Sequence, residues 1–269
     1  MPELPEVETI RRELEPYLVG KKFVEVIVCD TKIICPLTAA EFREGLVGQR
    51  IKSLKRRGKY LILLLSNSKC LVIHLRMSGV LLLNPPEPQA RSRVVFHLSD
   101  GSRLVLIDRR RLAVVSILEG EELVESKLGP EPLEPSFTAK ELARRLKRRK
   151  APIKAVLLDQ KVIAGIGNMY ADEALFKARV HPLRPASDLS WQETERLYTA
   201  IISTLRSAIE HKGASVDTYL RPGGEAGAAH FNFKVAHCGG KPCPECGTPV
   251  QRLAIRNRGS YFCPTCQKC

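Results

Sequence analysis

Hydrophobic residues near the start of the chain recur with the period of a helix. Val7, Ile10, Leu14 and Leu18 are three or four positions apart, which aligns them on one helical face. Gly20 follows them and predicts the end of the helix. Downstream, short runs of β-branched and apolar residues between turn-forming sequences predict strands at residues 23–28, 60–65, 71–75, 94–98, 104–107 and 112–117. We therefore expect a mainly β domain over residues 1–134, with one helix before its strands.

The pattern becomes helical after a proline-rich segment at residues 129–135, which can continue neither a helix nor a central strand. Thr138 with Glu141, and Ser190 with Glu193, have the spacing of capping boxes and predict two helix starts. A glycine-containing turn at residues 165–168 separates the helical stretches between them. We expect a helical domain over residues 135–237.

The charge balance favours a polyanionic partner. The 269 residues include 43 Lys and Arg against 29 Asp and Glu, a net charge of +14, and such an excess is typical of nucleic-acid binding. No apolar run approaches the length of a membrane span. The acidic first ten residues lack the layout of a signal peptide. A cytoplasmic location is therefore expected, and charge alone leaves open a basic protein with no such partner.

Four cysteines near the end of the chain form two Cys-x-x-Cys pairs separated by sixteen residues: Cys243, Cys246, Cys263 and Cys266. This spacing suits tetrahedral coordination of one structural zinc ion by thiolates. A redox pair or a chance arrangement is the alternative. Cys238 and Cys269 lie outside the paired spacing. We expect a separate zinc module over residues 238–269.

Two basic regions could contact phosphates. The hairpin expected between the cysteine pairs carries Arg252, Arg256 and Arg258, and guanidinium groups on a rigid hairpin suit phosphate oxygens. The stretch at residues 140–154 is also basic and precedes the turn at 165–168, whose glycines permit close approach of a backbone to a phosphate. Together they predict a clamp on the DNA backbone. A solvated hairpin and an exposed helix face are the alternatives.

The chain starts with residues that could carry nucleophilic chemistry. Removal of Met1 would leave Pro2 with a free secondary amine. An α-amino group has a pKa of about 7.7–8.0, against about 10.4 for lysine, so it is a usable nucleophile at neutral pH. Glu3 and Glu6 lie beside it and could transfer protons. Taken by themselves, these residues also fit an ordinary start of a helix.

The chain resembles the formamidopyrimidine-DNA glycosylases from end to end, with the family's motifs in the same order. The matching motifs are PELPEVETIRRELEPYLVG at the start, RRGKYL around Lys59, HLRMSG around Met77, LGPEPL at the linker, IK followed by GIGNMYADEALF, and the four-cysteine finger with Arg258. The resemblance implies an α+β multidomain protein. Its parts would be an N-terminal two-layered β-sandwich flanked by helices, a helix–two-turn–helix domain and a four-cysteine zinc finger.

The resemblance also implies catalytic roles. Pro2 would attack sugar C1′, and Glu3 would be the general acid and base. Lys59 would assist β-elimination and Arg258 δ-elimination. Glu6 and Glu173 would support the site, and the DNA contacts would come from His74, Met77, Arg91, Arg110, Arg149, Lys154, Asn168 and Arg252.

Within that set, Met77 would fill the space of the flipped base and Arg110 would face the orphaned base. The chain departs from the family pattern at three places. Leu112 stands where an aromatic residue is usual, residues 235–238 lack the usual tyrosine, and Arg91-Ser92-Arg93 replaces a His-x-His. The segment between Gly213 and Val235 is expected to cap the lesion.

The expected function is a monomeric, zinc-containing, bifunctional glycosylase and lyase of base excision repair. It would act on double-stranded DNA containing oxidised purines, such as 8-oxoguanine and formamidopyrimidines, or abasic sites. Two alternatives stay open: an oxidised-pyrimidine glycosylase of the endonuclease VIII branch, and a non-catalytic zinc protein that binds damaged DNA. Leu4 disfavours the first, because that branch tends to have glycine there. Pro2, Glu3 and Lys59 disfavour the second, because a binding module does not need all three.

Overall fold

The computed structural model describes residues 1–86, 91–126 and 128–268. These residues form two compact units. The first consists of Met1–Ser126 together with His211–His230, and the second of residues 128–210 and 231–268. Cys269, one of the two cysteines outside the predicted zinc spacing, lies outside the described residues.

The first unit contains two antiparallel four-stranded sheets. One has the strand order β1 (Phe23–Val28), β6 (Ser92–Leu98), β7 (Arg103–Asp108), β5 (Gly79–Leu83). The other has the order β2 (Ile51–Arg57), β3 (Tyr60–Leu65), β4 (Cys70–His74), β8 (Val114–Leu118). Apolar side chains of both sheets share one core with α1 (Leu4–Leu18) and α2 (Ala39–Leu46). The predicted two-layered sandwich flanked by helices is confirmed.

Helix α1 covers this core with the face that its sequence predicts. Val7, Ile10, Leu14 and Leu18 are at most 1% exposed. Burying side chains of this size stabilises a fold by roughly 1.5–3 kcal/mol each. The helix is thereby fixed against the sheets, and so is the position of its first turn.

The predicted strand at residues 112–117 was wrong at its start. The backbone N–H groups of Leu112 and Ala113 donate to the Asp108 carboxylate, so they are not available to a strand ladder. Arg111 also has a positive φ of 56°, which an extended strand does not have. Strand β8 therefore begins at Val114, and Leu112 lies in a loop.

The segment His211–His230 packs with the first unit although it follows the helices of the second in sequence. Tyr219 is buried in the sandwich core. Arg221 pairs with Glu13 of α1 at 2.7 Å. The backbone N–H of Leu83 in β5 donates to the carbonyl of Pro222 at 2.8 Å. The helical domain expected over residues 135–237 thus includes a segment that completes the other unit.

A four-residue helix, α3 (Glu122–Glu125), ends the first stretch of the first unit. The second unit contains four helices: α4 (Ala139–Leu146), α5 (Ile153–Leu157), α6 (Asn168–Ala178) and α7 (Trp191–Glu210). The capping box of α7 is confirmed, since Ser190 and Glu193 exchange hydrogen bonds. At α4 the hydroxyl of Thr138 accepts from the backbone N–H of Glu141, but the Glu141 carboxylate pairs with Arg144 and Arg145.

The cysteine-rich end of the second unit carries an antiparallel hairpin of β9 (Gln251–Ile255) and β10 (Arg258–Phe262). Ile255 pairs with Arg258, so Arg256 and Asn257 alone form the turn. Both have positive φ, 46° and 61°, as a type I′ turn requires. This hairpin presents the arginines that the sequence predicted as phosphate contacts.

Candidate functional site

Pro2, Glu3 and Glu6 lie together at the start of α1, and all three are buried. Glu6 Oε2 accepts a hydrogen bond from the backbone N–H of Glu3 at 2.7 Å. Its other oxygen, Oε1, accepts from the backbone N–H of Ala214 at 2.8 Å. A single carboxylate therefore holds the first turn of α1 and the segment His211–His230 together, which agrees with a supporting role for Glu6.

Lys59 lies in the turn between β2 and β3 and is only 6% exposed. The neighbouring His74 ends β4, and burial together with the charges of Arg76 and Lys59 lowers its pKa to about 3. Its Nδ1 accepts the backbone N–H of Arg76 at 3.0 Å. His74 is therefore neutral at physiological pH with its proton on Nε2, where it can donate to a phosphate oxygen without the cost of burying a charge.

Met77 and Arg110 project beside each other from two loops of the first unit. Met77 is 45% exposed, and Arg110 Nη1 lies 3.4 Å from the Met77 sulfur. Leu112 follows in the second loop and is 38% exposed. Large apolar side chains held at the surface are available to enter a base stack, as the role predicted for Met77 requires.

Arg91 is exposed, and its carbonyl accepts the backbone N–H of Asp108 at 3.2 Å. Arg91 thus lies directly before β6 and beside Asp108 at the end of β7. In the second unit Arg149 is also exposed, with Nη1 at 3.5 Å from Asp159. Exposed pairs of this kind are weak, so the guanidinium of Arg149 remains available for a phosphate.

Lys154 and Asn168 converge on one carbonyl in the second unit. Lys154 Nζ donates to Gly259 O at 3.2 Å, and Asn168 Nδ2 donates to the same oxygen at 2.9 Å. Lys154 is fully buried and pairs with Asp172 at 2.6 Å. Burial raises the pKa of Asp172, although Lys154 opposes the shift. The two predicted DNA contacts therefore also hold strand β10 of the finger against α5 and α6.

Asp172 was missed by the sequence analysis. Its Oδ2 accepts the backbone N–H of Tyr261 in β10 at 3.2 Å. The adjacent Glu173, which was expected to support the site, accepts the backbone N–H groups of Lys234, Val235 and Ala236 at 2.8–3.0 Å. Two consecutive carboxylates of α6 thus fix both the chain entering the finger and the hairpin itself.

Arg252 and Arg258 are exposed on that hairpin. Gly259 lies directly under Arg252: a Cβ at residue 259 would come within 2.9 Å of Arg252 Nε. The glycine therefore leaves room for the guanidinium on the strand beside Arg258. The two cations lie on neighbouring strands of the hairpin, Arg252 opposite Tyr261 and Arg258 opposite Ile255 beside the turn, so both are exposed to solvent on one element.

The four predicted metal ligands come together. The sulfur atoms of Cys243, Cys246, Cys263 and Cys266 all lie within 4.8 Å of one another. Two of the separations are 3.9 and 3.4 Å, and tetrahedral Zn–S bonds of about 2.3 Å imply about 3.8 Å between ligand atoms. The residues fit one structural zinc ion, whose role is to hold both ends of the hairpin.

The predicted site residues are thus divided between the two units. Pro2, Glu3, Glu6, Lys59, His74, Met77, Arg91 and Arg110 belong to the first unit. Arg149, Lys154, Asn168, Glu173, Arg252, Arg258 and the four zinc ligands belong to the second. None of the helices in the described part of the chain has both the length and the hydrophobicity needed to cross a bilayer.

Comparison with known protein families accounts for most of the chain. Residues 1–115 match the formamidopyrimidine-DNA glycosylase N-terminal domain, and residues 128–219 match the H2TH domain of the same glycosylases. Residues 240–268 match the zinc finger found in FPG and IleRS. The three matches occur in the order that the sequence motifs predict.

Individual relatives match over their full length. A formamidopyrimidine-DNA glycosylase of Chloroflexus aurantiacus is 42% identical over 99% of this chain and 98% of its own. The Lactococcus lactis enzyme in complex with DNA containing an abasic site has a TM-score of 0.92 at 31% identity, covering 99% of this chain and all of its own. Its complex with Fapy-dG-containing DNA has the same TM-score at 30% identity and the same coverage.

Proposed function

The chain belongs to the formamidopyrimidine-DNA glycosylase family of DNA-repair enzymes, and we propose that it removes oxidised purines through an imine on Pro2. One observation carries the proposal: Pro2 and Glu3 are buried directly before the first turn of α1, with Glu3 as its N-cap, and the core and Glu6 fix the position of that helix. A nucleophile and a proton donor in fixed positions are what base excision needs.

In the proposed reaction the nitrogen of Pro2, exposed by loss of Met1, forms a bond to C1′ as the bond between C1′ and the base breaks. Glu3 gives its proton to the departing base, then takes the proton that the Pro2 nitrogen loses and passes it to O4′ as the sugar ring opens. The product is an imine (charged, because proline is a secondary amine). Lys59 assists β-elimination, which removes a proton from C2′ and breaks the C3′–O bond. Arg258 assists δ-elimination, which removes a proton from C4′ and breaks the C5′–O bond.

The proposed substrate is double-stranded DNA containing 8-oxoguanine, a formamidopyrimidine or an abasic site. The Lactococcus lactis relative binds DNA with Fapy-dG and with an abasic site, which supports this class. Exposed Met77 and Arg110 would enter the stack, and cations of both units would bind phosphates. We propose that the protein acts as a monomer in the cytoplasm of a bacterium, and light scattering of the free protein tests the monomer.

Borohydride trapping tests the chemistry. The protein is incubated with a duplex carrying one 8-oxoguanine, and borohydride is added to reduce the imine to a stable amine. We expect a covalent adduct from protein whose intact mass shows Met1 removed, much less from Pro2→Gly, and none from protein that retains Met1, because the nitrogen of Pro2 is then an amide. Wild-type protein that binds the duplex without an adduct would be a non-catalytic binder. An adduct formed much faster on thymine glycol than on 8-oxoguanine would indicate the endonuclease VIII type of specificity.

A further inference from the structure

One buried carboxylate joins the two loops that carry Met77, Arg110 and Leu112. Asp108 ends β7 and is 0% exposed. It lies between the loop that follows β4 and the loop that precedes β8. Asp108 has no role in the proposed reaction. A buried carboxylate is costly unless hydrogen-bond donors surround it.

Both oxygens of Asp108 are fully used. Oδ1 accepts the hydroxyl of Ser78 at 2.5 Å and the backbone N–H of Arg110 at 3.1 Å. Oδ2 accepts the backbone N–H groups of Leu112 and Ala113, each at 2.7 Å. These hydrogen bonds keep the pKa of Asp108 below its usual range although burial raises it. The carboxylate is therefore charged, and it receives only donors.

The partners of Asp108 are the chain neighbours of the exposed side chains. Ser78 follows Met77, and the other three donors are the backbone of Arg110, Leu112 and the residue after it. The loop has a second anchor on its outer side, because Arg111 makes a two-bond ion pair with Asp30 at 2.5 and 2.9 Å. The loop that carries Arg110 and Leu112 is thus held by both Asp108 and Asp30, and the loop that carries Met77 is held by Asp108 through Ser78.

We propose that Asp108 is a positioning residue that sets Met77, Arg110 and Leu112 in one rigid arrangement for entry into the base stack. This inference rests on the proposed function, because it assigns a role in opening the duplex and none in bond breaking. Rigid presentation matters here, since filling the vacated stack must offset unstacking, which costs a few kcal/mol. Flexible side chains would have to be ordered at that step, at a further entropic cost.

The test is Asp108→Asn. An amide keeps one acceptor oxygen and turns its NH₂ group towards at least one backbone N–H, while the Ser78 hydroxyl can accept from it, so one or two of the four hydrogen bonds are lost at unchanged volume. Excision of 8-oxoguanine from an intact duplex should fall at least tenfold, as it should in Met77→Ala. Cleavage of a preformed abasic site should fall by no more than about threefold, since less stacking has to be disrupted there.

A fluorescent base next to the lesion reports the step itself. With 2-aminopurine beside 8-oxoguanine, wild-type protein should give a rapid rise in fluorescence as the stack opens, and Asp108→Asn a slower or smaller one. The matched control is Asp100→Asn, which removes an exposed carboxylate that accepts from Ser102 at the β6–β7 turn. This control should excise and open the stack like the wild type.

Ser78→Ala tests the positioning role if Asp108→Asn does not fold. It removes the hydroxyl donor to Asp108 and leaves the backbone N–H donors in place. It should lower the ratio of lesion excision to abasic cleavage in the same direction. Equal loss of both activities in the two variants, or wild-type ratios in both, overturns the inference. If wild-type protein forms no borohydride adduct, the proposed function fails; if it does and the ratios are unchanged, the role of Asp108 alone fails.

Discussion

Individual carboxylates have separate tasks according to what surrounds them. Glu6, Asp108 and Glu173 each accept two or more hydrogen bonds from backbone or hydroxyl donors, and each joins segments that are distant in sequence. Such groups are committed to structure, because releasing a donor inside the protein is costly. Glu3 differs in the proposed reaction, where its proton must move.

Glu3→Gln tests this assignment at the residue scale. The amide keeps the shape of the side chain but cannot donate a carboxyl proton. We expect excision of 8-oxoguanine to fall by at least 100-fold, within the range typical of general acid–base catalysis, while duplex affinity changes little. Cleavage of a preformed abasic site should be less affected, because the base has already left. Wild-type excision by Glu3→Gln, measured under single-turnover conditions, would exclude Glu3 as the acid.

Leu112 offers a second test at this scale. The resemblance predicts an aromatic residue there, and aromatic stacking on a base is worth about 1–3 kcal/mol. Since the backbone of Leu112 is held by Asp108, a larger ring should be presented in the same place. We expect Leu112→Phe to bind an abasic duplex roughly threefold to tenfold more tightly in a fluorescence titration. Unchanged affinity, with Leu112→Ala also unchanged, would show that residue 112 does not enter the stack.

At the scale of elements, the sequence predicted several strands of the first unit, but it missed the apolar strand β5 (Gly79–Leu83). Strands β1 and β3 have the bounds that their composition indicates. Strand β2 was missed, because five of its seven residues are charged or polar and only Ile51 and Leu54 are buried. Helix α2 was also missed, although Thr38 and Glu41 form a complete capping box at its start. This capping box spans only four residues, so the start of α2 could have been predicted from the sequence.

The long-range features could not be predicted in the same way. Asp108 and Asp172 act through hydrogen bonds to residues far along the chain, and neither lies in a pattern that marks it. The late start of β8 at Val114 has the same origin, since the Asp108 carboxylate accepts the backbone N–H groups of Leu112 and Ala113. Motifs located Pro2, Lys59 and the zinc ligands, but only the fold shows which groups hold them.

The hairpin turn of the finger predicts a stabilising substitution. Arg256 has a left-handed backbone, which costs an L-residue roughly 1–2 kcal/mol and costs asparagine less. We expect Arg256→Asn to slow zinc release to a chelator by about twofold to fivefold, because folding of a small finger is coupled to the metal. Arg256→Ala is the control: it removes the same charge without relieving the turn, and it should not slow release. Equal rates in both variants would contradict the argument.

At the scale of the whole molecule, the zinc ion connects structure to DNA binding. The module packs in a small core that it shares with Phe176 of α6, and the four cysteines hold both ends of the hairpin that presents Arg252 and Arg258. Losing the metal should misplace both arginines together. Pro2, the proposed nucleophile, belongs to the other unit and should not be affected directly.

We therefore expect Cys246→Ser to abolish detectable duplex binding while the β-rich unit stays folded by circular dichroism. Arg258→Ala should weaken binding less, because other cations remain, and should reduce the slope of log affinity against log salt by roughly one charge. A salt titration of wild type and both variants measures this. Binding by Cys246→Ser that equals wild type would show the finger to be dispensable for affinity.

The division of the first unit into two stretches of chain has a consequence for its synthesis. Tyr219 and Ala214, the partner of Glu6, are synthesised only after helices α4 to α7 have been translated. At about 5–20 residues per second, the sandwich waits on the order of ten seconds with its core incomplete and the start of α1 unsupported. The proposed catalytic residues Pro2 and Glu3 are thus among the first to be translated, and their surroundings are among the last to acquire their final structure.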